Sequence, residues 1–253
     1  MTVCPSNALS ILPGTTEITI NRSLCNECLA CCDVCLPRAL NVYGEKMTVS
    51  QVMTLICRDE MFYFHSSGGV TLSGGDVLCY PGFAVELLTA CKESNIHTMA
   101  ELSMFGDSER INMLMPYLDE YYVDIKLMNS ESHKKWTGVD NRSILENIRA
   151  VSQKWPKLGL RARVPLVPEA NDGKTNIFET ASFCRDLKNC LELEFLPYHR
   201  LGVSTYQYLD RKTPFAKTPA MTFEEAHEKV AFLSEMNLPF PVKVAGRTIW
   251  ERG

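Results

Sequence analysis

The chain has 253 residues, 45% of them apolar and 22% charged, with a formal net charge of -4. That length and apolar content can bury one large core with a small appendage, and without a long basic run nothing electrostatic points to nucleic acid as a partner. Apolar runs are too short and interrupted for a bilayer-spanning helix, and Met1 to Thr16 lacks the basic start and long apolar middle of a secretory signal, so no membrane association is expected and a cytoplasmic monomer is.

In chain order, Cys4 stands before Pro5, and PGTTEITINRSL then reads as a turn and a short strand. Next comes CNECLACCDVCL, with five of the eleven cysteines in twelve positions. Secreted disulfide scaffolds are usually small and spread their cysteines evenly, so this crowding favours metal and a reducing compartment. From Cys25 the spacing is C-x2-C-x2-C-x3-C through Cys28 and Cys31 to Cys35, the bacterial ferredoxin run whose fourth cysteine serves a second cluster. Zinc competes for the C-x2-C pairs, but the later spacings and the detached Cys4-Pro5 favour iron–sulfur. Cys4 then completes a [4Fe-4S] cluster with Cys25, Cys28 and Cys31, while Cys35 lacks its companions and Cys32 duplicates Cys31. Residues 1–40 are expected to form a small, incomplete ferredoxin-like unit.

From Met47 the texture changes, and residues 47–253 are expected to form a second domain. TVSQVMTLICRDEMFYF carries helical spacing behind Thr48. Six strand candidates follow, at 68–75, 96–103, 121–127, 159–167, 191–199 and 240–244, with amphipathic segments between them. This is a βα repeat with parallel strands, two units short of an eight-unit barrel and therefore open or partial.

In such a sheet the carboxyl ends of the strands carry function. Gly74 and Gly75 let the backbone approach a ligand, and Asp76 can accept from an ammonium; the competing reading is a tight βα turn. Asp124 and Lys126 share one strand face and Ile125 points to the other; they suit a zwitterion or form a rim salt bridge. Arg163 shares a face with Pro165, and His199 ends a strand. Cys57, Cys79, Cys91, Cys184 and Cys190 fit apolar patterns and read as packing.

GGVTLSGG, IHTMAELS, VDIKLM, Trp136-Thr137-Gly138, RVPLVPEAND and FLPYHRLG, in this order and with the cysteine unit, resemble the activating enzymes of glycyl radical enzymes, in the form with a ferredoxin-like insert. Pyruvate formate-lyase activating enzymes belong to this radical S-adenosylmethionine family, and the resemblance covers nearly the whole chain. It implies a partial (β/α)6 barrel, here lacking its first strand. It also implies that S-adenosylmethionine is cleaved reductively at a [4Fe-4S] cluster, so that a deoxyadenosyl radical can take hydrogen from a glycine of the partner enzyme. Reduced flavodoxin or ferredoxin is the implied electron donor. By the same resemblance Gly74, Gly75, Asp76, Asp124, Ile125, Lys126, Arg163 and His199 bind the cofactor.

The sequence departs from the family at Asp76 in place of Glu, Leu102 in place of Thr, Glu169 in place of Gly and Thr205 in place of Lys, and Pro37 follows its cysteine one residue late. The CxxxCxxC loop of the catalytic cluster is expected to be absent, lying with its strand upstream of Met1. The 253-residue chain is therefore expected not to release deoxyadenosine by itself. Two other readings stand beside the activase: an inactive truncated remnant, and a noncatalytic iron–sulfur electron carrier or binding protein.

Overall fold

The computed structural model describes residues 2–251, in two compact units, Met1–Thr48 and Val49–Gly253. In the first, β1 (Leu9–Ile11) pairs antiparallel with β2 (Ile18–Ile20), Leu9 facing Ile20, and one helical turn, α1 (Ala30–Asp33), lies inside the cysteine run.

The second unit opens with α2 (Val49–Ile56) and α3 (Glu60–Ser66), joined by a 3-10 turn. Strands and helices then alternate: β3 (Gly69–Leu72), α4 (Pro81–Glu93), β4 (His97–Leu102), α5 (Ser108–Leu114), β5 (Glu120–Asp124), α6 (Ser130–Thr137) and α7 (Arg142–Lys154). There follow β6 (Gly159–Leu166), α8 (Lys174–Arg185), β7 (Cys190–Pro197), α9 (Gly202–Tyr208), α10 (Phe223–Val230), β8 (Val242–Val244) and β9 (Arg247–Trp250). The seven strands form one sheet in the order β3-β4-β5-β6-β7-β8-β9, parallel up to β8, with β9 antiparallel. It is a mixed α/β fold with a central sheet flanked by helices. Among the described residues no pairing joins β3 to β9, and no helix is long and apolar enough to cross a membrane.

β3 to β8 are the six strands read from the sequence. β9 was missed there, although Ala245 and Gly246, both at positive φ (47° and 78°), make the tight turn that right-twisted hairpins favour. The short helices α6 and α9 also escaped the periodicity reading, because neither is long enough to repeat an apolar stripe.

Period-two alternation gives the sheet two unlike faces. Ala100, Tyr121, Val123, Ala162, Val164 and Phe195 are buried on the helix side. Against them α7 sets Ile144, Ile148 and Val151 and α8 sets Ile177 and Ala181, each at helical spacing. Burying each large aliphatic side chain contributes about 1.5–3 kcal/mol. The other face is polar. It carries Glu101 on β4, Glu120, Tyr122 and Asp124 on β5, Arg161 and Arg163 on β6, Glu192 and Glu194 on β7, and Lys243 on β8.

Candidate functional site

In the first unit the chain makes the same turn twice. The amide of Asn7 donates to the carbonyl of Cys4 (3.3 Å) and that of Arg38 to the carbonyl of Cys35 (2.9 Å), and both residues stand at φ 52°. Just beyond each turn a backbone amide donates to the cysteine sulfur, Ala8 to Cys4 Sγ at 3.2 Å and Leu40 to Cys35 Sγ at 3.3 Å. The sequences Cys-Pro-Ser-Asn-Ala-Leu and Cys-Leu-Pro-Arg-Ala-Leu are thus two copies of one motif, and the late Pro37 does not disturb the turn. At Cys4 the hydrogen bond from Ser6, then that from the Ala8 amide, lower the thiol below its usual range. Glu27 (φ 55°) and Leu29 (φ 62°), non-glycine residues in the left-handed region, flank Cys28. Alternation into that region turns successive amides toward one concavity, the backbone shape that receives anions and iron–sulfur clusters.

The donor chemistry therefore suits a cluster, although among the described residues no three Cys, His, Asp or Glu side chains are gathered as ligands. The expectation of an absent CxxxCxxC string needs one correction: Cys28, Cys32 and Cys35 have that spacing. It lies inside the cysteine run, around α1, and not after a strand of the large sheet, so it is not the loop that the resemblance implies.

In the second unit, parallel topology sets the candidate residues of β3, β5 and β7 at or just beyond the carboxyl ends of their strands, and Arg163 inside β6, in register with Asp124 at the end of β5. Gly74 has φ 112°, which an L side chain rarely adopts, and a Cβ built on Gly74 or Gly75 would meet nothing within 4 Å. The backbone there is open to solvent. Asp76 caps the turn Val77–Cys79, its Oδ1 accepting from the Leu78 amide at 2.9 Å. Arg163, 18% exposed, donates from Nη1 to Glu101 Oε1 (2.9 Å) and from Nε to Asp124 Oδ1 (3.3 Å), and its guanidinium lies 4.4 Å from the centre of the Tyr122 ring. Burial opposes its charge, but the Glu101 hydrogen bond and the neighbouring Asp124 outweigh it and hold the guanidinium above its usual pKa. Ile125 is in the core, so only its backbone remains near the rim. Lys126 and His199 are exposed.

Three asparagines fix the segment after β5. Asn171 Nδ2 donates to the carbonyls of Lys126 (2.8 Å) and Pro165 (2.7 Å), while its Oδ1 accepts from the Val167 amide. Asn141 Nδ2 donates to the carbonyls of Leu127 and Met128, and Asn176 Oδ1 accepts from the Met128 amide. Sequence reasoning left Glu101, Tyr122 and Asn171 out of the site. Strand alternation placed the first two on the polar face; Asn171 lies inside the RVPLVPEAND motif, but its partners, up to 45 positions away, left no local signal of its role.

Deeper on the same face, Arg161 binds Glu120 and Glu192, and Lys243 binds Glu192 at 2.6 Å. The face carries five carboxylates against three cations, an excess that favours a positively charged ligand at the open end. A cavity of about 820 Å³ between loop 168–174 and α10 shares no residue with this set.

The fold is similar to that of Streptococcus suis SuiB, at a TM-score of 0.60 and 14% identity over 81% of this chain and 44% of that one. A crystallised domain of the pyruvate-formate lyase-activating enzyme of Bacteroides vulgatus superposes at a TM-score of 0.56 with 26% identity, covering 71% of this chain and 99% of that domain. No family model matches. Among curated proteins, the isethionate sulfite-lyase activating enzyme of Oleidesulfovibrio alaskensis is 36% identical over 216 residues, 85% of this chain and 69% of that enzyme. The (2S)-3-sulfopropanediol sulfolyase activating enzyme of Bilophila wadsworthia is 38% identical over 209 residues, 83% of this chain and 68% of its own length. The chain belongs to the glycyl-radical-enzyme activating enzymes of the radical S-adenosylmethionine superfamily.

Proposed function

We propose that this chain binds S-adenosylmethionine at the carboxyl ends of β3 to β7 and serves the activation of a glycyl radical enzyme. The observation that carries this reading is the Glu101–Arg163–Asp124 group, with the open Gly74-Gly75 backbone following the strand paired with β4, in a chain of this family. Each carboxylate gives one oxygen to Arg163 and retains another for a ligand, and the excess of negative charge suits an ammonium or sulfonium. Lys126 offers a cation to a carboxylate, and Asp76 and His199 complete the rim. Bound there, S-adenosylmethionine would supply the radical precursor. The chain's own part is to fix the carboxylates through Arg163 and the β5 exit through Asn141 and Asn171, so that little reorganises on binding. Cys4, Cys25, Cys28 and Cys31 would hold a [4Fe-4S] cluster, with Cys35 in the position equivalent to Cys4. No step is assigned to a cluster at the mouth, where no ligand set is found among the described residues.

Calorimetry with S-adenosylmethionine tests the reading. Saturable binding is expected, and Asp124→Asn or Arg163→Leu should weaken it about tenfold or more, the effect of removing a partly buried charged partner. No binding by the folded protein would overturn it in favour of a noncatalytic role.

A further inference from the structure

Between β7 and α10 the chain runs from Pro197 to Phe223 with only the seven-residue α9 as regular structure. Connections of that length in a compact domain are generally linkers or functional. This one is no slack linker, because its two ends are fastened together. Tyr198 Oη donates to the Phe215 carbonyl at 3.1 Å and Arg200 Nη2 to the Ala216 carbonyl at 2.8 Å, while the Phe215 ring stacks on Trp136 of α6 with centroids 5.2 Å apart. Residues 201–214 therefore project as a loop closed at its base, at the end of the sheet where the candidate site lies.

The tip carries exposed apolar side chains. Leu201 is 79% exposed, Tyr206 44% and Leu209 41%. The same stretch, 200–217, carries the cations Arg200, Arg211, Lys212 and Lys217 against the one carboxylate of Asp210, on a chain whose net charge is -4. Apolar anchors in a stretch with a net excess of one charge suit a protein partner of the opposite sign, the anchors supplying affinity and the charge the encounter rate. Two exposed leucines favour a polypeptide over a nucleic acid, which would use rings and cations alone.

We propose that the tip of loop 201–212 is a docking element that receives an acidic, apolar-bearing segment of the glycyl radical enzyme; this rests on the partner read above. The test is binding of the intact chain to the purified glycyl radical enzyme of the same organism, at low and high salt. Leu201→Ser/Tyr206→Ser/Leu209→Ser should weaken binding at least tenfold. Arg211→Glu/Lys212→Glu should slow association and abolish its salt dependence. Both variants should keep the wild-type thermal midpoint and S-adenosylmethionine affinity, because these side chains lie outside the core and the cofactor group. Wild-type affinity in both variants would overturn the docking element and leave the proposed function standing. So would loss, in the same variants, of self-association or of binding to a single-stranded oligonucleotide in place of the enzyme. Failure of the wild-type chain to bind the enzyme would overturn the partner reading, and the docking element with it.

Discussion

Glu169 stands at φ 65°, exposed, in the turn that carries the chain from β6 toward α8. An L residue in the left-handed region costs about 1–2 kcal/mol relative to glycine, partly offset by glycine's greater freedom in the unfolded chain. The site was legible in the sequence only as a missing glycine after Pro168; the backbone gives the reason a glycine belongs there. Glu169→Gly is expected to stabilise the protein by about 1 kcal/mol and raise the thermal midpoint by about 2–4 °C. It should leave the Glu169 amide on Asp172 Oδ1 at 3.0 Å. A lower midpoint in a thermal melt would show that the turn is held by something other than this conformational preference.

Strands β5 to β8 are tied across their polar face by the run Glu120, Arg161, Glu192, Lys243. Glu192 is the keystone: its side chain is 6% exposed and meets two cations. The hydrogen bond Arg161 donates to Glu120 and then, against burial, the one it donates to Glu192 push Arg161 well above its usual pKa. Such a set stabilises little relative to an apolar filling of the same shape, but removing Glu192 takes from the half-buried Lys243 its carboxylate, while Arg161 keeps Glu120. Glu192→Gln is therefore expected to cost about 1.5–3 kcal/mol, read as a fall in the urea midpoint at constant slope. A double change with Lys243→Met should recover part of that loss, since it removes one stranded cation. Alternation showed that these residues share a face. It could not show which would pair, because that depends on register, and β6 shifts its register against β7 between Leu160 and Arg161.

At the scale of the molecule, the turn repeated at Cys4 and Cys35 is the geometry on which the proposed ligand set of Cys4, Cys25, Cys28 and Cys31 rests. Anaerobic reconstitution is expected to load about four irons per chain, as one [4Fe-4S] cluster. Cys4→Ser should lower the iron content, and Cys32→Ser should leave it unchanged. Eight irons per chain, or tetrahedral zinc, would overturn the ligand assignment. The second unit was readable because six apolar strands alternate with amphipathic segments over two hundred residues, and strands buried on their helix side announce themselves by composition.

By itself the sequence determined the parallel α/β class, the strand candidates, the cysteine spacing and the six ordered motifs that identify the family, because these depend on residue type and on distances along the chain. Only the tertiary structure decided that Arg163 spans Glu101 and Asp124, that Asn171 holds the exit of β5, and that the two ends of loop 198–216 meet. Those contacts join residues 16 to 62 positions apart. Strand order, register and crossover geometry choose such partners, and no local pattern encodes them.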